Sequence, residues 1–485
     1  MSFQLFNISI DGSKFEISKA IHSNKNIISV LTGKNGSGKS RILEFIASNF
    51  HVTAAFLQKY PNNWDENFNA YVGDYSDNQM FCNVNGREVA VQRINKTLAC
   101  GFQYDGQVQS WRQLSPAKLI CISTSPFDRF PANSTSKLAA NDFYSYIGMK
   151  NTRSNNSVKS LISNVVDTMF KKPNSIDSNL DVIKTTLEYL GYGTRILVSY
   201  SKSPGVDDIF PVTLDKVALI LNKLKSNTDI ENPTTKEDQY EYLNEVYESI
   251  LYLYRNSGEK NKKTFSIPLN LARKNILEDD YIKAIQVLSR AGIFKVKSLK
   301  LSEKTDNRRF IDFVNASSGE QCLSLMLLGV SSQIENGSLI CIDEPEISLH
   351  PEWQEEFIHL LDKLFSGYQN CHFVIATHSP LIVSNLNSEN CFVLDLDKNE
   401  LVNIHNSKSR SSDYQLATLF KSPGFKNEYL VNESLDILSH LSRSVDINTD
   451  IRNRATLLLS IFHMLDEDDP VYSLISTIQR VMREA

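Results

Sequence analysis

Apolar positions along the chain fall into two periodicities. Residues 3–10 alternate apolar and polar, with Phe3, Leu5, Ile8 and Ile10 on one side, which predicts an early strand. Phe15, Ile17 and Ile21 predict a second short strand or turn region. Short apolar runs then recur at Ile27–Leu31, Val52–Leu57, Leu119–Ser123, Leu339–Ile342 and Phe373–Ile375, and read as buried strands. Helical spacing takes over at Ile42, Leu43, Ile46 and Ala47. It dominates from about residue 150 to 290, around Val158–Phe170, Leu180–Leu190, Leu214–Leu224, Tyr240–Tyr254 and Tyr281–Leu288. Arg195–Tyr200 interrupts these helices as a strand. Phe294–Leu301 and Arg309–Val314 predict a hairpin that returns the chain to the core. Residues 411–485 carry helical patterns again, at Leu416 and Phe420, Leu435 and Leu438, Leu457–Phe462 and Leu474–Val481.

This pattern predicts an α/β protein with four parts. Residues 1–150 and 291–410 form the two halves of one head, residues 151–290 a mainly helical inserted lobe, and residues 411–485 a helical C-terminal region. A chain of 485 residues is long enough for such an arrangement. Its net charge of −5 gives no global field toward DNA or an anionic membrane. Seven cysteines include no C-x-x-C pair, and Cys121, Cys341 and Cys391 lie inside apolar runs, as buried reduced thiols do. No basic leader with an apolar stretch opens the chain, and no apolar run approaches the ~20 residues of a membrane span. The expectation is a soluble cytoplasmic protein with no membrane partner.

The chemistry concentrates in short segments. Gly33-Lys34-Asn35-Gly36-Ser37-Gly38-Lys39-Ser40 fits G-x-x-x-x-G-K-[ST], between a predicted strand and a predicted helix. Glycines at 33, 36 and 38 tolerate positive φ and let backbone N–H groups close around phosphate oxygens, with the helix dipole adding positive charge. Lys39 is then placed for β- and γ-phosphates and Ser40 for Mg²⁺. Arg41 follows directly and joins the same nucleotide-binding segment.

Ser338–Ile342 is an apolar strand that ends in Asp343 and Glu344. At the C-terminal edge of a parallel sheet these carboxylates reach the phosphate loop. Asp343 suits Mg²⁺, and Glu344 suits polarising an attacking water. The next strand, Asn370–Thr377, ends at His378-Ser379-Pro380, which puts His378 near a γ-phosphate or its water. Ser317-Ser318-Gly319-Glu320-Gln321 opens a helix, with Ser318 as expected N-cap and Gln321 three residues later in capping-box position. Asp395-Leu396-Asp397 resembles a D-x-D metal pair, but Asp397-Lys398-Asn399-Glu400 reads better as a hairpin turn between Phe392–Leu396 and Leu401–Ile404.

In order and type, these motifs resemble the ABC-class ATPases of the soluble SMC/RecF/OLD group. The S-S-G-E-Q segment at 317–321 stands as the family's signature, I-D-E-P-E as its carboxylate strand end, S-L-H-P as its D-loop with Ser348 and His350, and T-H-S-P as its histidine switch. The resemblance implies ATP and Mg²⁺ as cofactors. It also implies a homodimer or higher oligomer in which Ser317, Ser318, Gly319, Glu320 and Gln321 of one copy complete the γ-phosphate site of another. Gln58 and the Ser123–Asp128 turn are both candidates for the family's metal-linked glutamine. A narrower resemblance rests on S-T-S-P-F-D-R-F-P at 123–131 and F-Y-S-Y-I-G at 143–148. These are similar to the ATPase subunits of Septu-type and retron-associated anti-phage systems, which implies a partner effector such as an HNH-type nuclease and, in retrons, a reverse transcriptase or nucleic-acid component. A RecF-like DNA-repair ATPase without a dedicated effector is the alternative.

Overall fold

The structure is a computed structural model. It describes residues 1–21, 24–59, 78–93, 100–104, 110–131, 143–148, 176–204, 210–225, 236–257, 264–272, 279–384, 389–403, 426–443 and 449–484, with a few isolated positions between them. The predicted helix at Val158–Phe170 and Leu416 and Phe420 fall largely or wholly outside the described residues, as does the side chain of Gln58.

Sixteen strands are described. They are β1 (Phe3–Ile10), β2 (Ser13–Glu16), β3 (Ile27–Thr32), β4 (Gln79–Val84), β5 (Arg87–Arg93), β6 (Cys100–Tyr104), β7 (Leu119–Ser123), β8 (Tyr144–Ile147), β9 (Tyr192–Lys202), β10 (Thr264–Asn270), β11 (Phe294–Glu303), β12 (Phe310–Asp312), β13 (Leu339–Asp343), β14 (His372–Ala376), β15 (Cys391–Asp395) and β16 (Glu400–Asn403). The central sheet has the order β16-β15-β3-β14-β13-β7-β8. It is parallel throughout except for β16, which returns antiparallel on β15.

Alternate residues of the central strands enter two different cores, which explains their uninterrupted apolar runs. Ile28, Val30, Ile120, Ile122, Ile340, Ile342, Phe373 and Ile375 face one core, together with the helices Ser318–Ser331 and Pro351–Phe365. Leu31, Leu119, Cys121, Leu339, Cys341, Val374 and Ala376 face the other, formed with the helix Lys39–Lys59 and the antiparallel sheet β2-β1-β4-β5-β6. The segment Val52–Leu57, expected as a strand, continues that helix instead. Phe50 and Ala54 keep the buried stripe of Leu43, Ile46 and Ala47 in register, so tertiary packing outweighs a six-residue apolar run.

Between residues 151 and 290 the described helices are Ile176–Tyr189, Leu214–Lys225, Lys236–Ser257 and Asp280–Arg290. These helices accompany a four-stranded antiparallel sheet of order β10-β9-β11-β12. The expected hairpin forms, since Leu301 pairs with Ile311. Its first strand also pairs with β9 (Leu299 opposite Val198), so the hairpin belongs to the sheet of β9 and β10 and not to the central sheet. Strand patterning shows which face is buried and not which distant strand is the neighbour.

The C-terminal helices Glu428–Arg443, Thr449–Ile461 and Pro470–Glu484 bury a separate core around Leu430, Ile437, Leu458, Val471 and Ile475. Among the described residues no helix is long and apolar enough to cross a membrane.

Candidate functional site

The site lies where β3, β14, β13 and β7 end side by side. Gly36 and Gly38 hold φ of 83° and 101°, and a Cβ on either would meet nothing, so the loop keeps an open cradle. Gly33, at φ 143°, is required for a different reason: a Cβ there would lie 2.8 Å from Ser37 Oγ and 3.3 Å from Leu396 Cβ. Lys39 begins the helix, and its Nζ donates to Gly33 O (2.8 Å), Lys34 O (3.1 Å) and Ser37 Oγ (3.3 Å). Burial lowers the Lys39 pKa, and Asp397, Glu344, Glu346 and Asp343 oppose that shift. Arg41, expected with the loop, is exposed and pairs with Asp11 in the β1–β2 turn.

Ser40 Oγ donates to Asp343 Oδ1 at 3.1 Å. Asp343 is 3% exposed. Burial pushes its pKa up to about 7; the Ser40 hydrogen bond works against the rise, and Glu344, Asp128 and Glu346 add to it. A hydroxyl and a carboxylate at contact distance, inside a group of acids short of positive charge, form a hard-oxygen pair that fits Mg²⁺. The open glycine cradle at a helix N-terminus fits a polyphosphate.

Glu344 is half-buried at φ 50°, a conformation that non-glycine residues seldom take, and its N–H donates to Ala376 O (2.9 Å). Ser348, four residues on, has φ 66°. Two such residues stand in one loop beside the Ser40–Asp343 pair, and backbone outliers of this kind cluster at functional sites. His378 follows β14, and burial, then Lys39, hold its pKa below the ordinary histidine value.

Glu346 has no role assigned by its sequence pattern alone. Its carboxylate accepts the His378 N–H (2.5 Å) and the Thr377 hydroxyl (2.9 Å), and so fixes the histidine segment to the carboxylate loop. Gln354 adds a second tie, accepting from Ser379 Oγ (2.6 Å) and donating to Leu349 O (3.0 Å). Position 346 stands inside the quoted I-D-E-P-E motif, so a signal was present. Gln354 lies in the first turn of the helix Pro351–Phe365 with no local signal.

The Ser123–Asp128 turn contains no glutamine, but it reaches the same neighbourhood. Ser123 pairs in register with Asp343, and buried Asp128 adds to the field on that carboxylate. Asp128 is held by Tyr146 OH (2.7 Å) and the Phe130 N–H (3.0 Å). Tyr146 belongs to the F-Y-S-Y-I-G segment, so the two segments behind the narrower resemblance meet here.

The signature packs elsewhere, against the D-loop. A Cβ on Gly319 would meet Ser348 O at 2.7 Å and the Trp353 ring at 3.1 Å. The N-cap is Ser317 rather than Ser318. Ser317 Oγ accepts the Glu320 N–H (3.3 Å) and Glu320 Oε2 accepts the Ser317 N–H (2.8 Å), a complete capping box. Gln321 is drawn away from capping because its amide donates to Phe313 O, Val314 O and Ala316 O. Ser317 and Ser318 are exposed at the helix N-terminus. His350 is also exposed, with its nearest carboxylate, Glu352, 3.9 Å away. Asp395 and Asp397 form the hairpin turn as read: Asp395 Oδ1 accepts the N–H groups of Asp397 (3.0 Å) and Lys398 (3.4 Å).

The family described as "AAA domain, putative AbiEii toxin, Type IV TA system" matches residues 212–384, a span that holds the signature, the carboxylate strand and the histidine switch. The chain is similar to the Retron Vc95 probable ATPase of Vibrio cholerae serotype O1 biovar El Tor, at 22% identity over 419 residues, 81% of this chain and 73% of the relative. It is also similar to the Retron Ec83 probable ATPase of Escherichia coli, at 23% identity over 180 residues, 34% of this chain and 32% of the relative. Among solved structures, the Smc head domain of Pyrococcus furiosus aligns at 12% identity over 82% of this chain and 96% of that one, with a TM-score of 0.31. The SMC head domain of Thermotoga maritima aligns at 12% identity over 80% and 94%, with a TM-score of 0.33. The family match and the two retron ATPases agree with the resemblance to retron-associated ATPases drawn from the motifs.

Proposed function

We propose that this chain is the Mg²⁺-dependent ATPase of a retron-type anti-phage defence system, and that it works as an ATP-linked dimer governing a partner effector. The observation that carries the ATPase reading is the contact between Ser40 and Asp343, which joins the phosphate loop to the carboxylate strand with Glu344 and His378 beside it. Gly33 to Ser40 cradle the phosphates, and Lys39 exchanges its loop carbonyls for β- and γ-phosphate oxygens. Ser40 and Asp343 are the residues that would hold Mg²⁺, which when bound would supply charge neutralisation at those phosphates. Glu344 orients the attacking water and takes its proton. His378, fixed through Glu346, faces the γ-phosphate end.

The dimer reading rests on Ser317 and Ser318, which present hydroxyls and a helix N-terminus to solvent instead of to their own phosphate loop. A second copy's γ-phosphate suits that end, with Gly319, Glu320 and Gln321 setting its shape and Ser348 and His350 lining the contact. The effector, in our reading an HNH-type nuclease with a reverse transcriptase or its nucleic acid nearby, is supported by the likeness to retron ATPases. Turnover of ATP by the purified chain tests the core of this reading. Phosphate release that needs Mg²⁺ and vanishes in Lys39→Ala is the expected result, and turnover unchanged in Lys39→Ala overturns it.

A further inference from the structure

The order of the central sheet gives a bound triphosphate a direction. β3, which feeds the phosphate loop, lies between β14 and β15. His378 and Glu344 follow β14 and β13, so the γ-phosphate end points to that side. The nucleoside therefore leaves the loop toward β15 and the β1–β2 hairpin.

A built polar feature waits there. Leu396 N–H donates to Thr32 O (3.0 Å), which runs the turn after β15 alongside Gly33 and Lys34. Both carboxylate oxygens of Asp397 accept the Lys34 N–H, each at 3.3 Å. Buried Asp395 shapes this turn through the Asp397 and Lys398 N–H groups, and Asn399 Nδ2 ties it to Lys14 O of β2 (2.9 Å). Asp397 is exposed, and a single N–H occupies a fraction of the roughly four lone-pair positions of a carboxylate. Of the other acids near Lys39, Asp343 is engaged by Ser40 and Glu346 by His378 and Thr377, and Glu344 has its role in the proposed hydrolysis.

We infer that Asp397 accepts the vicinal hydroxyls of the nucleotide's ribose, and that it makes the site selective for ribonucleoside over deoxyribonucleoside triphosphates. The inference rests on the ATP-binding reading above. Its chemistry is that of a carboxylate receiving two hydroxyl donors, a charge-assisted pairing that dinucleotide-binding folds also use on ribose. The phosphates are held by other residues, so the sugar contact is separable from them.

Calorimetric titration of the full chain with Mg·ATP and with its 2′-deoxy and 3′-deoxy analogues tests it, in wild type, Asp397→Ala and Asp397→Asn. Wild type is expected to prefer ATP over each deoxy analogue by on the order of tenfold, since hydrogen bonds to a charged group discriminate at that level. Asp397→Ala should bring that ratio near one while leaving affinity for the deoxy analogues within about threefold, and Asp397→Asn should fall between. A ratio unchanged by Asp397→Ala overturns the inference, as does an equal loss for all three nucleotides, which is the mark of a loop-positioning role; either leaves the ATPase reading standing. Wild type that binds none of the three overturns both.

Discussion

Ser40, at the start of the helix that follows the phosphate loop, donates its hydroxyl to Asp343 at the end of β13, across 3.1 Å and 303 positions of sequence. The pair joins two separate motifs, and in the proposed reading the two side chains hold one Mg²⁺. Asp343→Asn keeps the size and a hydrogen-bonding oxygen but loses the charge. The expected outcome is that Mg²⁺ affinity in the presence of ATP falls at least about tenfold, since even partners that only orient a metal ligand count for 10–100-fold. ATP turnover should fall with it, and excess EDTA should produce the same loss in wild type. Metal titration of turnover checks this, and an unchanged Mg²⁺ midpoint in Asp343→Asn would remove Asp343 from the metal.

Glu344 occupies a strained φ of 50° beside this pair. Glu344→Gln retains shape and loses the ability to take a proton. Turnover should drop about 10²- to 10⁴-fold, the range for a missing general base, with ATP affinity nearly intact. If two copies close over ATP, the variant should accumulate as an ATP-dependent dimer in sedimentation. Adding Ser318→Arg, on the exposed N-terminus of the opposing signature, should return it to monomer while ATP still binds. A dimer indifferent to Ser318→Arg would place the interface elsewhere.

The site was legible wherever its geometry is local. The glycine pattern at 33–38, the strand ends at 343–344 and 377–378, and the turn at 397–399 all depend on residues within a few positions of one another, and the structure has them in the expected elements. Contacts set by distant packing were not legible. The helix after the phosphate loop overruns Val52–Leu57 because a buried stripe continues, and β11 joins β9 because two strands about a hundred positions apart share a core. The helix cap moves from Ser318 to Ser317 because Gln321 is engaged by three carbonyls from Phe313, Val314 and Ala316.

Glu346 holds the histidine switch by accepting from the His378 N–H and the Thr377 hydroxyl. Glu346→Ala leaves both donors without their acceptor in a half-buried site, and each orphaned donor costs about 1–3 kcal/mol. His378 loses its fixed position while the phosphate loop keeps its own contacts. The expected kinetic pattern is a fall in kcat with KM little changed. A rise in KM at constant kcat would assign Glu346 to binding.

His372 supplies a pH dependence unrelated to the nucleotide. It is fully buried, with Nδ1 3.0 Å from the Leu5 N–H and Nε2 2.9 Å from Ser29 Oγ. Ser29 gives its own proton to Ile17 O (2.9 Å), so Nε2 must donate to Ser29 and Nδ1 must accept from Leu5. That fixes a neutral ring joining β1, β3 and β14, and a second proton on Nδ1 would face the Leu5 N–H. Burial lowers the His372 pKa from 6.5 to about 3. The unfolded chain therefore binds a proton that the folded chain refuses between those two values. The stabilisation is fully present above pH 6.5 and is lost as pH falls toward 3, at about 1.4 kcal/mol per unit, or roughly 2 kcal/mol by pH 5. His51, lowered to about 4 by burial, acts in the same direction over much of the window. Urea unfolding at pH 7.5 and pH 5.0 should show the wild type losing more stability on acidification than His372→Gln, whose side chain keeps a donor and an acceptor but does not titrate. Equal losses in the two proteins would mean that the proton is taken up elsewhere.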